Sequence, residues 1–428
     1  MSKPMQAIVI GLGSAGDVHP NVGLALALQR RGHRVLFVGP AFFRSLAERA
    51  GLDFFGLGTE EEYYEAVRDP DLWHPLRAFS VVARRLILPW MRPIYEIIVK
   101  HGDAGRTVVA APGTAFGARI AQEKLGVPLA TVHLQPLMLR STLEPGCFGF
   151  PDIIGVLPRP LRGLYLRAAD RLLIDRLLAA ETNAFRAELG LSPVRRFFDR
   201  WFHSPQLIIG FFPEWFAPPP PDWPANVHLA GFPLWDEREL RQLAPELEAF
   251  LDAGNGPVVF TAGSAMAQGK DFFRVSADAC RLSGRRGLFL TQFPEQLPPD
   301  LPDSVRHFDY IPFSTVLPRA AAFVHHGGIG TTAQALAAGV PQLVVPLAHD
   351  QPDNAVRVRR LGVGDFLLPK AYKTPTVVKR LDRLLGSSAV TEACRRRAAD
   401  VAASTALEQA CRLMEQMCAG TEPPPERR

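Results

Sequence analysis

The chemistry in this chain concentrates in two short stretches. One reads His325-His326-Gly327-Gly328-Ile329-Gly330-Thr331-Thr332 and is followed, after a second apolar run, by Asp350-Gln351. Glycines let an anion approach the backbone. The first N–H groups of a helix are unpaired and carry the positive end of its dipole. Glycines ahead of a helix start point to a diphosphate there, with Asp350 and Gln351 suited to hydrogen-bonding vicinal hydroxyls. That is the chemistry of a nucleotide-sugar site. The other stretch is Gly11-Leu12-Gly13-Ser14-Ala15-Gly16-Asp17-Val18-His19-Pro20. It offers Asp17 and His19 as groups able to take a proton from a hydroxyl. Each also has a structural reading, Asp17 as the cap of a following helix and His19 as the partner of a loop carbonyl.

These groups need elements that bring them to one place. Ala320–Val324 reads as a strand, Thr331–Ala338 as a helix stopped by Gly339-Val340-Pro341, and Gln342–Val345 as a second strand. In a parallel sheet the loop Pro346–Gln351 then lies at the same carboxyl edge as the glycine turn. Met5–Ile10 reads as a buried strand, Asn21–Arg31 as a helix beginning near Pro20, and Val35–Val38 as the next strand. Gly11, Gly13 and Gly16 spell a dinucleotide fingerprint. However, Val38 is followed by Gly39 and Pro40 instead of an acidic residue, which discounts a nicotinamide or flavin site. Further strands are expected at Thr107–Ala111, Pro128–Leu134, Leu207–Phe211 (the last of a first domain), Val258–Thr261 and Leu288–Thr291. Alternation with helices predicts an α/β fold with parallel sheets. Pro218–Pro221 mark a stiff linker.

The segment Phe323–Ala355 resembles the donor-binding signature of the family 1 glycosyltransferases. The resemblance implies the GT-B fold, two Rossmann-like βαβ domains with parallel sheets facing across a cleft. It also implies that His326 contacts the diphosphate, that Gly328, Gly330 and Thr331 supply donors, and that Asp350 and Gln351 hold the sugar. Ser264 matches a phosphate-contacting turn serine, for which a helix cap is the alternative. Tyr310, with Ile311, falls where the family stacks a ring on the nucleoside base. Asp17 falls at the base position, as in bacterial members with Gly-Asp-Val, where many others carry Gly-His-x-x-Pro. Two residues depart from the plant pattern, Gln334 for a ribose-binding Glu and Phe313 for a base-reading Gln.

The domains implied are an acceptor-binding domain over 1–214, a linker over 215–233 and a donor-binding domain over 234–395. A helix over 396–420 would return to the first domain, and a disordered tail would follow over 421–428. Within the family the resemblance is strongest to the rhamnosyltransferase chain of bacterial rhamnolipid synthesis, on Gly13–Val18, Asp69–Trp73, Trp215–Pro219 and Gly231–Leu234. It implies inverting, metal-independent transfer of rhamnose or glucose from a dTDP- or UDP-sugar to a hydrophobic hydroxyl-bearing acceptor, with no cofactor besides the donor. Metal-free transfer is expected from a lack of the Asp-x-Asp pair by which metal-dependent transferases of the other major fold hold a cation. Alternatives are an inactive sugar-nucleotide-binding subunit, a nucleotide-sugar 2-epimerase, and a glucosyltransferase of small aromatic or terpenoid compounds.

Composition narrows the partners. The 428 residues carry a net charge of +5 with no basic cluster interleaved with aromatics, which argues against nucleic acid. Five scattered cysteines and the short first apolar run, Ala7–Ile10, lead us to expect a reduced, cytoplasmic chain. Ser80–Val99 is apolar but includes Arg84, Arg85, Pro89, Arg92 and Pro93, which excludes a lipid-embedded span. Thr59–Val99, rich in Trp, Tyr and Arg, either lines an acceptor cleft or packs over a sheet edge. Arg159–Trp201 holds nine Arg against five acidic residues around helically spaced Leu161, Leu164, Tyr165, Ala168, Leu172 and Leu173. It is either a solvated packing helix or a basic amphipathic surface in peripheral contact with a membrane.

Overall fold

The computed structural model describes residues 4–102 and 105–420. Its strands form two wholly parallel sheets. The first is built from β1 (Gln6–Ile10), β2 (Arg34–Pro40), β3 (Asp53–Leu57), β4 (Thr107–Ala111), β5 (Leu129–His133), β6 (Leu207–Gly210) and β7 (Val227–Leu229), in the order 3-2-1-4-5-6-7. The second is built from β8 (Val258–Thr261), β9 (Gly287–Leu290), β10 (Val305–Phe308), β11 (Ala322–His325), β12 (Gln342–Val344) and β13 (Gly364–Phe366), in the order 10-9-8-11-12-13. Helices cover both faces, so the central strands read as unbroken apolar runs. Ile8 of β1, for example, lies between Leu36 and Val109 and is fully buried.

Strand order reverses between β1 and β4 in one sheet and between β8 and β11 in the other. At such a reversal the loops leaving the carboxyl ends diverge and open a crevice. The loops leaving β1 and β11 are the two chemistry-bearing stretches of the sequence. The fold therefore places them at the crevices.

Two local expectations are corrected. The first helix spans Ala15–Arg30 and does not wait for Pro20, so Asp17 and His19 stand on its first turns and not in a loop. Ser14 is the N-cap, and the Asp17 carboxylate closes the turn by accepting from the Ser14 N–H (3.0 Å) and hydroxyl (3.2 Å). Pro20 lies inside this helix and has no N–H to give the Gly16 carbonyl four residues back. In addition, Leu207–Phe211 does not end the first sheet. β7 joins β6 from inside the proline-rich stretch read as a linker, pairing Ile208 with Val227 and Gly210 with Leu229.

The two halves share a core. Phe211, Phe216 and Phe232 pack in one cluster with Ile329, Val344 and Val358 of the second sheet's layer. The last helix, Ala406–Cys418, inserts Ala410, Cys411 and Met414 into the same cluster against Val22 and Ala25 of the first helix. Glu415 then takes a forked bond from the Arg31 guanidinium, 2.7 Å on each arm, and a contact from His33 at 2.9 Å. The segment read as a tail, 421–428, lies outside the described residues.

Gly327 sits at φ +94, and a Cβ there would meet Val344 Cγ1 at 2.6 Å. Gly327→Ala is expected to cost roughly 1–3 kcal/mol of stability. Gly32→Ala, also at positive φ (+88) but with nothing near its Cβ, serves as the milder control in thermal unfolding. Equal losses would remove the steric role assigned to Gly327.

Candidate functional site

A cleft between the carboxyl edges of the two sheets holds a cavity of about 1700 Å³. Asp17, His19, Ser264, Tyr310, Ile311, His326, Gly328, Gly330, Thr331, Asp350 and Gln351 all line it, as do Phe313 and Gln334.

The donor-side end is built around a helix start. The helix Ile329–Ala338 begins two residues earlier than its composition suggests, with Gly328 as N-cap and Gly339 in the left-handed region as its stop. His325 and His326 separate in role. His325 is fully buried, accepts the Gly327 N–H on Nδ1 (3.0 Å) and so donates from Nε2 to the Gln342 side-chain oxygen (3.0 Å). It is structural. The His326 ring lies between Gly263 and Gly328, where added Cβ atoms would approach it to 3.0 Å and 2.6 Å. Its Nδ1 is buried without a hydrogen-bond partner, and burial pushes its pKa down to about 4. A neutral imidazole with an unpartnered atom beside a helix N-terminus fits an anionic ligand that would supply the missing bond. Ser264 lies in the turn after β8, and the next helix, Lys270–Ser283, has Gly269 as its N-cap, so Ser264 does not cap it.

The two residues expected on sugar hydroxyls are partly engaged within the protein. Asp350 Oδ2 accepts from the Ile329 N–H (3.1 Å) and from Asn354 Nδ2 (2.7 Å), so it caps the helix start from outside. Gln351 Oε1 accepts from the backbone of Leu347 (2.8 Å) and Ala348 (3.3 Å), which shapes the loop. Just before them His349, at φ +60, reaches Leu72 O at 2.9 Å and meets the Trp73 indole edge-on. The helices of Thr59–Val99 are thus tied to the donor-side loop.

Across the cleft, Asp17 faces the same space. Burial pushes its carboxyl up to about 6, against the hydrogen bonds from Ser14. Burial pushes Asp350 up to about 7, and the charge of Asp17 adds to it while Asn354 and Ile329 oppose. Tyr310 donates to Asp236 O at 2.9 Å, with the Arg241 guanidinium over its ring at 4.7 Å. The rest of the cavity on the first-sheet side is largely apolar, with Phe79, Leu86, Trp90, Met138, Phe148 and Leu173 among its walls and Arg140, Asp152 and Arg176 also lining it. At its floor, at the end of β5, His133 meets His203 at 3.0 Å. Burial holds both rings down, His203 to about 4.

Sequence reasoning missed His133, Asp236 and Glu237, which carry no motif. It also missed the caps made by Asp350 and Gln351. An Asp-x-Asp spacing does occur, at Asp69-Pro70-Asp71. There Asp69 caps its own turn (2.9 Å to the Asp71 N–H) and Asp71 pairs with Arg77 (3.1 Å) outside the cavity lining. Among the described residues no three His, Cys, Asp or Glu side chains converge as metal ligands. Among them, too, no helix is long and apolar enough to cross a membrane.

Comparison with known proteins places this geometry. Residues 7–143 match the glycosyltransferase family 28 N-terminal domain, and residues 290–417 match the erythromycin biosynthesis protein CIII-like C-terminal domain. The O-mycaminosyltylonolide 6-deoxyallosyltransferase of Streptomyces fradiae is 32% identical over 434 residues, 96% of this chain and 97% of that one. Among solved structures, the glycotransferase of kitacinnamycin superposes with a TM-score of 0.73 at 18% identity over 97% of this chain and 100% of that one. A spinosyn rhamnosyltransferase complexed with thymidine diphosphate gives 0.67 at 20% identity over 96% and 100%. Both share the two-sheet architecture.

Asp17 and Asp350 bind their protons more tightly in the folded chain than at the ordinary value of 3.8. Each therefore contributes stability that is fully present below the unfolded pKa and is lost as pH rises through about 6 and about 7. Asp350→Asn should flatten the fall in thermal midpoint between about pH 4 and 8. A decline as steep as that of the unmodified chain would show that Asp350 does not titrate there.

Proposed function

The chain belongs to the EryCIII-like glycosyltransferases of GT-B fold, and from that premise we propose that it transfers a hexose or 6-deoxyhexose, rhamnose or glucose, from a dTDP- or UDP-sugar to a hydroxyl of a hydrophobic, lipid-like acceptor. The observation that carries this reading is the division of one cavity. A helix start with His326 and Asp350 stands at one end, an apolar chamber at the other, and Asp17 between them.

In this mechanism the diphosphate lies on the N-terminus of Ile329–Ala338 with His326 and Thr331 beside it, and the nucleoside base lies on Tyr310. The acceptor hydroxyl approaches from the apolar chamber. Asp17 takes its proton, the new bond forms from the acceptor oxygen to the anomeric carbon, and the bond from that carbon to the diphosphate breaks. With no enzyme nucleophile the configuration inverts. A carboxyl raised to about 6 is ionised at neutral pH and still basic enough to accept that proton. The helix dipole and the donors around it stabilise the charge that develops on the diphosphate. No metal ion is assigned a step.

A hydroxyalkanoyloxy fatty acid, as in rhamnolipid synthesis, is the acceptor class favoured by the apolar walls together with the subfamily resemblance. Exposed Leu161, Leu164, Leu172 and Leu173 beside Arg167 and Arg171 support peripheral contact with a lipid surface, at the inner face of the membrane, from which such an acceptor would be drawn. A macrolide-like acceptor is the second reading, favoured by the name of the Streptomyces relative.

Mass spectrometry of a donor panel crossed with fatty-acid, macrolide and aromatic acceptors tests the proposal. Transfer to none of them, or donor hydrolysis alone, would sink it. Asp17→Asn should lower turnover by about 10² to 10⁴-fold with nucleotide affinity kept. His326→Ala should weaken binding of the bare nucleoside diphosphate by calorimetry. Asp350→Ala should do the opposite of His326→Ala. It removes a negative charge and frees the Ile329 N–H, so affinity for the bare diphosphate holds or rises while affinity for the intact nucleotide sugar falls, by roughly 1–3 kcal/mol. Parallel losses for both ligands would mean that the sugar sits elsewhere.

A further inference from the structure

Just past the proline-rich stretch, three consecutive residues are wedged between the two halves of the site. Trp235 seats on the first helix at Gly23, where a Cβ would come within 2.8 Å of the Trp235 Cβ, and its indole meets the His19 ring edge-on at 5.5 Å. Asp236 is buried and turned toward the donor side. Its carboxylate accepts from the Ser314 N–H (2.7 Å) and hydroxyl (2.9 Å), and its carbonyl accepts from the Tyr310 hydroxyl (2.9 Å). Glu237 is buried and turned toward the acceptor side. Its carboxylate meets Arg49 at 2.9 Å, Arg241 at 3.1 Å and His19 Nε2 at 3.3 Å. Glu237 holds φ at +67, where a residue with a side chain persists only if its surroundings over-determine it. One peptide unit therefore connects the ring that lies at the nucleoside end with the imidazole that stands two residues after Asp17.

The chemistry of that contact is specific. A carboxylate on one imidazole nitrogen fixes the proton there and leaves the other nitrogen as an acceptor. Two guanidinium groups already balance the Glu237 charge, so the contact does not require His19 to be a cation. His19 lines the cavity, and its one ion-pair or hydrogen-bond contact among the described residues is the one through Nε2 to Glu237.

We propose that Glu237 is a positioning residue that holds His19 as the Nε2–H tautomer, so that Nδ1 accepts a hydrogen bond from a second O–H or N–H group of the acceptor while Asp17 takes the reacting proton. Asp236 keys this arrangement to Tyr310, which makes the imidazole's placement depend on the nucleoside end of the site. His19 is then a determinant of which acceptors are held, and those carrying a hydrogen-bond donor near the reacting hydroxyl are favoured. This rests on the sugar-transfer reading above.

Nitrogen-15 NMR of the histidine-labelled, unmodified chain reads the tautomer directly, with His19→Asn assigning the signal. Nε2 protonated and Nδ1 bare is the expected result, and the reverse tautomer overturns the proposal. Glu237→Gln should raise the acceptor KM about tenfold, the value of one hydrogen bond, and mix the two tautomers, with affinity for dTDP or UDP unchanged within about twofold. Tyr310→Phe keeps the ring, breaks its bond to Asp236, and should raise the acceptor KM in the same direction. Unchanged acceptor kinetics in folded Glu237→Gln, or equal losses of acceptor and nucleotide affinity, would overturn it. If Glu237→Gln does not fold, the tautomer in the unmodified chain still decides. A chain that transfers no sugar at all defeats the functional reading instead, and the NMR result then stands by itself.

Discussion

The N-terminal ends of two helices meet across the cleft with no side chain between them. A Cβ on Gly330 would sit 3.2 Å from the Gly16 carbonyl oxygen, so the helix that starts after β11 abuts the one that starts after β1 through backbone alone. Two positive helix ends brought this close repel each other. Each is met by a carboxylate. Asp17 accepts from Ser14 at the start of one helix, and Asp350 accepts from Ile329 at the start of the other. These caps let the ends approach, but they bring two buried carboxylates toward each other. Burial raises the pKa of both groups, and the charge of Asp17 adds to the rise at Asp350.

This arrangement links structure to chemistry. A buried carboxylate with an elevated pKa can serve as a base near neutral pH, the role proposed for Asp17. A capped helix start is already occupied by a weak internal anion, so a diphosphate arriving there competes with Asp350 for the same N–H. The group displaced from the backbone is then available to the sugar hydroxyls. Under the proposed function, donor binding would release Asp350 from its cap. The structure shows Asp350 as a cap, and its expected place on the sugar belongs to the proposed function.

The signals that could be read in the sequence were those confined to a few neighbouring residues. Strands near the sheet centres, such as Ala7–Ile10 and Val108–Ala111, are buried on both faces and show as plain apolar runs. Every strand left unread, β3, β7, β10 and β13, stands at a sheet edge. There one side is solvated and the burial pattern is broken or half-exposed, as in Gly364-Asp365-Phe366, so periodicity fails. The start of the first helix was misplaced because Pro20 is a strong local stop signal and the cap that overrides it depends on Ser14 and Asp17 together. The residues expected on the donor could be named from the sequence because glycine, histidine and carboxylate lie within one βαβ unit, and the structure brings them to one cavity. Glu237 was not found because its meaning lies in Arg49 and His19, which the chain brings to it from far upstream.

The same distinction explains why the donor end can be assigned a chemistry while the acceptor end is known only by its polarity. Phosphate recognition uses backbone N–H groups on one turn, and their position is fixed by glycines that sequence displays. The acceptor chamber is assembled from side chains on separate segments, among them Phe79, Trp90, Met138, Phe148 and Leu173, none constrained by its neighbours in the chain to be the residue it is. Apolar walls of this kind select by shape and area, and a missing methylene changes affinity only modestly. Discrimination among acceptors must therefore come from the few polar atoms that face the chamber. Among these, the imidazole of His19 meets Glu237 of the connecting segment, whose neighbour Asp236 is bonded to Tyr310 and Ser314.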